Sequence, residues 1–149
     1  MNQIPPYRLW IGHAGEESDF RRLFEAGIRA VITLAVEVAP SAVPREMVAC
    51  RFPLLDGAGN DAMVLGLAIR TVADLVRAQV PTLLCCDGRV SRSPAVAAAA
   101  LALAHGRPPA ECLQQIAAQH ACDVSPALWD EVAALLPSLS APGAAAGGK

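Results

Sequence analysis

The spacing of apolar residues switches between a two-residue and a helical period along this chain, and the switches mark its elements. Residues 8–12 (RLWIG) read as a short strand ending at a glycine turn. Phe20, Leu23 and Phe24 then recur at helical spacing, which predicts an amphipathic helix over 19–26, capped by Glu16, Glu17 and Ser18 and stopped by Gly27. Residues 28–34 are apolar and β-branched enough for a buried strand, 36–46 with Pro40 and Pro44 form a loop, and 48–54 alternate as a further strand. Leu65, Ile69, Val72 and Val76 give a helical stripe across 62–79. A short apolar strand, 81–85, precedes a polar loop that opens into a helix over 93–105. That helix (AVAAAALALA) is apolar all round, which predicts burial at the centre of the domain, and Gly106 stops it. Pro108 and Pro109 start another helix reaching about His120, with Cys112, Leu113 and Ile116 inward. Ser125 is expected to cap the last helix, with Pro126 at its first position and Leu128, Trp129, Val132 and Leu135 packed inward.

Strands alternating with helices define an α/β domain around a mostly parallel central sheet. The 149 residues fit one domain, assigned to 1–137, and the Ala/Gly/Ser/Pro-rich stretch 138–149 reads as a disordered tail. A chain of this length buries ~70% of its unfolded surface, enough for a core without staples. With 54% apolar and only 4% aromatic residues, that core is built mainly of Ala, Val and Leu. The net charge of −2 gives no electrostatic reason to expect nucleic acid or a membrane surface as partner. No basic segment followed by an apolar run opens the chain, so no signal peptide is expected, and the apolar run 94–104 is short of the ~20 residues that span a bilayer. Five cysteines without framework spacing argue for a reducing compartment, with the cytoplasm as the expected location. His13, His105 and His120 are scattered, expected at the surface, and no Cys/His cluster has zinc spacing.

Candidate chemistry concentrates in LLCCDGRVSRS, residues 83–93. Cys86 follows the apolar strand, five residues separate it from Arg92, and Ser93 follows where the helix opens. A loop of that length, Asp87, Gly88, Arg89, Val90 and Ser91, can turn its backbone N–H groups around one tetrahedral oxyanion. The N-terminal end of the next helix adds a positive field, which also favours a thiolate at Cys86, while Asp87 partly cancels it. Arg92 can hold two phosphate oxygens bidentately. A cysteine after an apolar strand is more often a small buried hydrophobe. The interval to Arg92 moves the reading to a nucleophile, because an arginine opening an apolar helix opposes the helix field unless it meets an anion. Ser93 also suits a capping hydroxyl. Asp56 directly follows the 48–54 strand and is the candidate proton donor, with Asp61 as its rival and Asn60 or Asp61 as the cap of the following helix.

Cys86-x5-Arg92-Ser93-Pro94 resembles the phosphate loop of cysteine-dependent protein phosphatases, and its surroundings resemble the dual-specificity phosphatase family. Segments 7–12 (YRLWIG), 52–56 (FPLLD) and 124–129 (VSPALW) match that family in order, and the likeness spans about residues 6–136. The resemblance implies a small mixed sheet with helices on both faces. It implies a phosphomonoester hydrolase, a protein tyrosine/serine/threonine phosphatase, working through phosphocysteine on Cys86. Arg92 and the loop Asp87, Gly88, Arg89, Val90 and Ser91 would bind the phosphate, Asp56 would act as acid and then base, and Ser93 would hydrogen-bond the sulfur. Arg92 and the loop amides supply the electrostatic stabilisation in such a site, so no metal or cofactor is expected. The expected partner is a phosphorylated protein or a small phosphomonoester, and phosphotyrosine, phosphoserine, phosphothreonine and a phosphoinositide or nucleotide phosphate all stay open. The chain departs from the family at Cys85, where histidine is usual, and at Arg89, where glycine is usual, with Gly88 one place earlier. Two alternatives therefore stand beside the enzyme: a phosphatase-like module that binds phosphate or a phosphoprotein without turnover, and thiol redox chemistry with Cys85, Cys50 or Cys112 as resolving thiol.

Overall fold

A computed structural model describes residues 1–88 and 90–141. Five strands, β1 (Asn2–Gln3), β2 (Leu9–His13), β3 (Ala30–Ala35), β4 (Val48–Leu54) and β5 (Thr82–Cys86), form one sheet in the order β1-β2-β5-β3-β4. Only the β1–β2 pairing is antiparallel, so the sheet is mixed as the resemblance implies. Five α-helices accompany it among the described residues: α1 (Phe20–Glu25), α2 (Ala62–Arg77), α3 (Arg92–His105), α4 (Pro109–Ala117) and α5 (Pro126–Ser140). β1 was not expected, because two residues carry no readable period.

β5 is the central strand and is buried along its whole length, which is why it reads as an uninterrupted apolar run. β4 lies at the edge, where the missing N–H of Pro53 disrupts no ladder on the open side. Because side chains alternate across a sheet, each strand feeds two cores. Leu9, Ile11, Ile32, Leu34, Leu84 and Cys86 join the larger one, beneath α2, α3, α4 and α5. Val31, Leu83 and Cys85 join the smaller one with Leu23 of α1, Ile28 and Met47, with Trp10 and Phe20 packed against it. Helices thus cover both faces. α3 is the centre of the larger core, and every residue from 95 to 101 is fully buried. Alanine makes this possible: its side chain keeps the backbone of α3 close to α2, α4 and α5 and loses no rotamer entropy on burial.

Several boundaries and environments differ from expectation. The Asp19 carboxylate caps α1, accepting from Arg22 N at 3.2 Å. Glu16–Ser18 form a separate single turn, in which Glu16 accepts from His13 N at 2.9 Å and buried Glu17 accepts from Gly15 N at 2.7 Å. Phe24 is 54% exposed and, unlike Phe20 and Leu23, does not join the smaller core, contrary to expectation. α4 ends at Ala117, and His120, expected at the surface, is buried, with its Nδ1 3.0 Å from Asn2 Nδ2. α5 continues through Ser140, past the expected boundary at 137, because Leu136 and Leu139 still pack on the core. Ser138 and Ser140 also return hydrogen bonds to the carbonyls of Leu135 and Leu136 there. The rest of the expected tail, residues 142–149, lies outside the described residues. Among the described residues no helix is long and apolar enough to cross a membrane.

Candidate active site

The parallel strands β2, β5 and β3 end along one edge of the sheet, and the loop after the central strand opens there. Cys86 is the last residue of β5 and is 2% exposed. Its carbonyl accepts from Ala14 N at 2.9 Å, extending the ladder beyond the His13–Cys86 pairing, so its backbone is fixed by β2. Alternation sends the preceding Cys85 to the opposite core. Burial pushes the Cys85 thiol up, and the carboxylates of Glu17 and Glu16 push it further, so it stays protonated. The two adjacent cysteines therefore face different surroundings.

Of the expected phosphate-binding residues, Asp87 and Gly88 are exposed, Val90 is half-buried and Ser91 is buried, while Arg89 lies outside the described residues. The loop is pinned from the α4–α5 connection: Asp123 N donates to Val90 O at 2.7 Å. Ser91 Oγ accepts from Ser125 N at 3.0 Å and donates to Asp56 Oδ1 at 2.5 Å. One hydroxyl thereby ties the loop to the start of α5 and to the candidate acid. Contrary to expectation the Ser125 side chain makes no cap hydrogen bond.

α3 begins one residue earlier than the sequence suggests, at Arg92, with Ala95 N bonded to Ser91 O at 3.0 Å. Ser93 consequently falls inside the first turn and does not cap it; its Oγ is buried and has no hydrogen-bond partner among the described residues.

Arg92 is buried, and its guanidinium is held by a carboxylate the sequence did not single out. Nη1 donates to Glu37 Oε2 at 2.7 Å and to Leu54 O at 3.0 Å, and Nη2 donates to Glu37 Oε1. A guanidinium has five N–H groups. These contacts use both on Nη1 and one on Nη2. The Nε–H and the second Nη2–H remain, side by side on one edge of the planar fork, and Nε is buried without a partner among the described residues. Two parallel donors on one edge match two oxygens of a phosphate. The hydrogen bonds to Arg92 lower the Glu37 carboxyl to about 2, and Glu37 in turn raises Arg92.

Asp56 and Asp61 separate cleanly. Asp61 Oδ1 accepts from Met63 N at 2.8 Å and Val64 N at 3.2 Å, so its carboxylate caps α2. Asp56 lies two residues beyond the end of β4 and meets the loop after β5 through Ser91. Asn60, considered as a cap, instead ties the intervening loop to itself, accepting from Leu55 N at 2.8 Å and donating to Gly57 O at 2.9 Å. Glu131 of α5 grips the same loop, accepting from Gly59 N at 2.6 Å and from Asn60 Nδ2 at 2.9 Å. Gly59 takes a left-handed φ of 92° there, which a side chain would strain. Glu37 and Glu131 are the contributors that sequence reasoning missed. The available signal was indirect: an arginine opening a buried helix needs a counter-charge. Among the described residues no group of His, Cys, Asp and Glu could hold a metal ion.

Neither a protein-family model nor a curated protein sequence matches the chain. Solved structures do match, and they define the fold as that of the dual-specificity phosphatases. Human DUSP28 superposes with a TM-score of 0.81 at 22% identity, covering 95% of this chain and 99% of that one. DUSP15 gives a TM-score of 0.74 at 15% identity, with 95% and 90% covered. The human tyrosine phosphatase-like serine/threonine/tyrosine-interacting protein gives 0.76 at 15% identity, with 90% and 93% covered. At these identities the likeness defines the backbone, and the chemistry rests on this chain's own residues.

Proposed function

We propose that this protein is a phosphomonoester hydrolase that works through phosphocysteine. The observation that carries the reading is the buried Arg92, whose free Nε–Nη2 edge belongs to the residue that closes the loop begun by Cys86. In the first step the Cys86 thiolate attacks phosphorus, and the bond from phosphorus to the leaving oxygen breaks as Asp56 gives that oxygen its proton. In the second step Asp56 takes a proton from water as the water oxygen attacks phosphorus. The S–P bond breaks, releasing inorganic phosphate and restoring the thiolate. Arg92 and the loop amides hold the phosphoryl oxygens in both steps. Ser93, in the first turn of α3 with its hydroxyl unpaired among the described residues, would donate to the departing sulfur, a role that the unpaired hydroxyl supports. The substrate is a phosphorylated protein or a small phosphomonoester.

The test is turnover of an aryl phosphate by purified protein between about pH 5 and 8, with rapid quenching and peptide mapping of the phosphorylated intermediate. Label on Cys86 is expected. Folded protein with no turnover would sink the reading. One observation favours a second reading, a phosphate-binding module without turnover: the place before the nucleophile holds Cys85, packed in the smaller core, where the phosphatase pattern has histidine. That reading expects tungstate binding without hydrolysis.

A further inference from the structure

Building on the reading of Cys86 and Arg92 as a phosphate site, we propose that Glu37 is the positioning residue for Arg92. It grips the guanidinium end-on and aims the free edge at the phosphate loop. The Arg92 side chain is 5% exposed, and Glu37 is the only carboxylate that it meets at salt-bridge distance among the described residues. The carboxylate takes Nη1 and Nη2 and leaves Nε, so it occupies a different edge from the one a phosphate would use. Glu37 is itself firmly mounted. Val36 N donates to Leu54 O at 3.1 Å and Val38 N to Ala35 O at 3.3 Å. Arg51 Nη2 reaches Val36 O at 3.1 Å and Val38 O at 3.4 Å, so the carbonyls on both sides of Glu37 are tied to β4. Leu54 O accepts from both Val36 N and Arg92 Nη1, which joins the Glu37 turn, the end of β4 and the arginine at one atom. An unclamped arginine rotates about several bonds, and each wrong orientation removes the paired donors from the phosphate.

The test measures tungstate affinity by calorimetry and aryl phosphate kinetics on the full chain, for wild type, Glu37→Ala, Glu37→Gln and Arg51→Ala. Glu37→Ala is expected to weaken tungstate binding about tenfold or more and to lower kcat/KM by about ten- to a hundredfold. Glu37→Gln keeps one acceptor and falls between, and Arg51→Ala shifts both readouts in the same direction by less. In an Arg92→Ala background the Glu37 substitutions change nothing further, a coupling that a merely structural role would not produce. Should Glu37→Ala fail the melting check, Glu37→Gln carries the comparison. Tungstate bound by folded Glu37 variants as tightly as by wild type, or more tightly, overturns the proposal; tighter binding would make the carboxylate a competitor of phosphate. Wild type that binds tungstate without hydrolysing the ester removes the enzyme reading and leaves the positioning role decided by affinity. Wild type that binds no tungstate overturns both.

Discussion

Cys85 and Cys86 share a strand, a side-chain type and nearly complete burial, yet they belong to different regions of the molecule. Cys85 points into the smaller core among Leu23, Val31 and Met47, where burial, and after it the carboxylates of Glu17 and Glu16, holds its thiol protonated. Cys86 points to the face where α3 begins, and the loop after it closes on a buried arginine. Burial does not distinguish the two thiols. The parity of their positions along β5 does, because it decides which one lies on the α3 side of the sheet. This is also why a disulfide between them is a poor basis for redox chemistry: their side chains leave the strand on opposite faces.

The largest effect should come from exchanging the two. Cys86→Ser should lower aryl phosphate turnover by more than about a thousandfold, whereas Cys85→Ala should keep activity within a few-fold and cost about 1 kcal/mol of stability. Equal loss in both variants would erase the distinction. The same logic divides the two aspartates of the loop after β4. Asp56→Asn should reduce kcat by about a hundred- to ten-thousandfold. Asp61→Ala should instead lower unfolding free energy by about 1 kcal/mol through the lost α2 cap, and a large fall in kcat with Asp61 would reverse the assignment. A smaller effect is expected at Glu131. Glu131→Ala frees Gly59 and Asn60 and should reduce kcat about tenfold while KM changes little, a split to be read from full saturation curves.

The smallest effect is in acid stability. Glu37 has its carboxyl lowered to about 2 in the folded protein, from an ordinary 4.5. A lowered folded value means that its contribution is fully present above the unfolded value and is lost as pH falls from there through about 2. Urea melts at successive pH values across that window should therefore show a shallower loss for Glu37→Gln than for wild type. Because Glu37 is partly open to solvent, the difference should shrink in high salt.

Features written locally in the sequence were legible, and features made by distant segments were not. The strand, loop and helix around Cys86 and Arg92 lie within one continuous stretch, so their spacing exposed them. The all-apolar character of α3 correctly placed it in the interior. The Glu37–Arg92 pair spans 55 residues and the Glu131–Asn60 bond spans 71, and no period or motif announces a contact of that range. Ser93 and Ser125 both looked like caps, because a hydroxyl beside a helix start is most often one. The helix in fact begins at Arg92, which leaves Ser93 inside the first turn, and Ser91 takes the backbone N–H of Ser125. His120 looked like a surface residue because its contact with Asn2, 118 residues away, has no local signature.

The grip of Glu131 on the loop after β4 has a consequence for how the protein is made. Cys86, Arg92 and Asp56 all leave the ribosome before α5 does. Until that last helix docks, Ser91 has no Ser125 amide to accept from and the acid-bearing loop has no carboxylate to hold it. The chain therefore carries the groups of its proposed site unassembled through most of its synthesis, and the last described helix to emerge sets them in register.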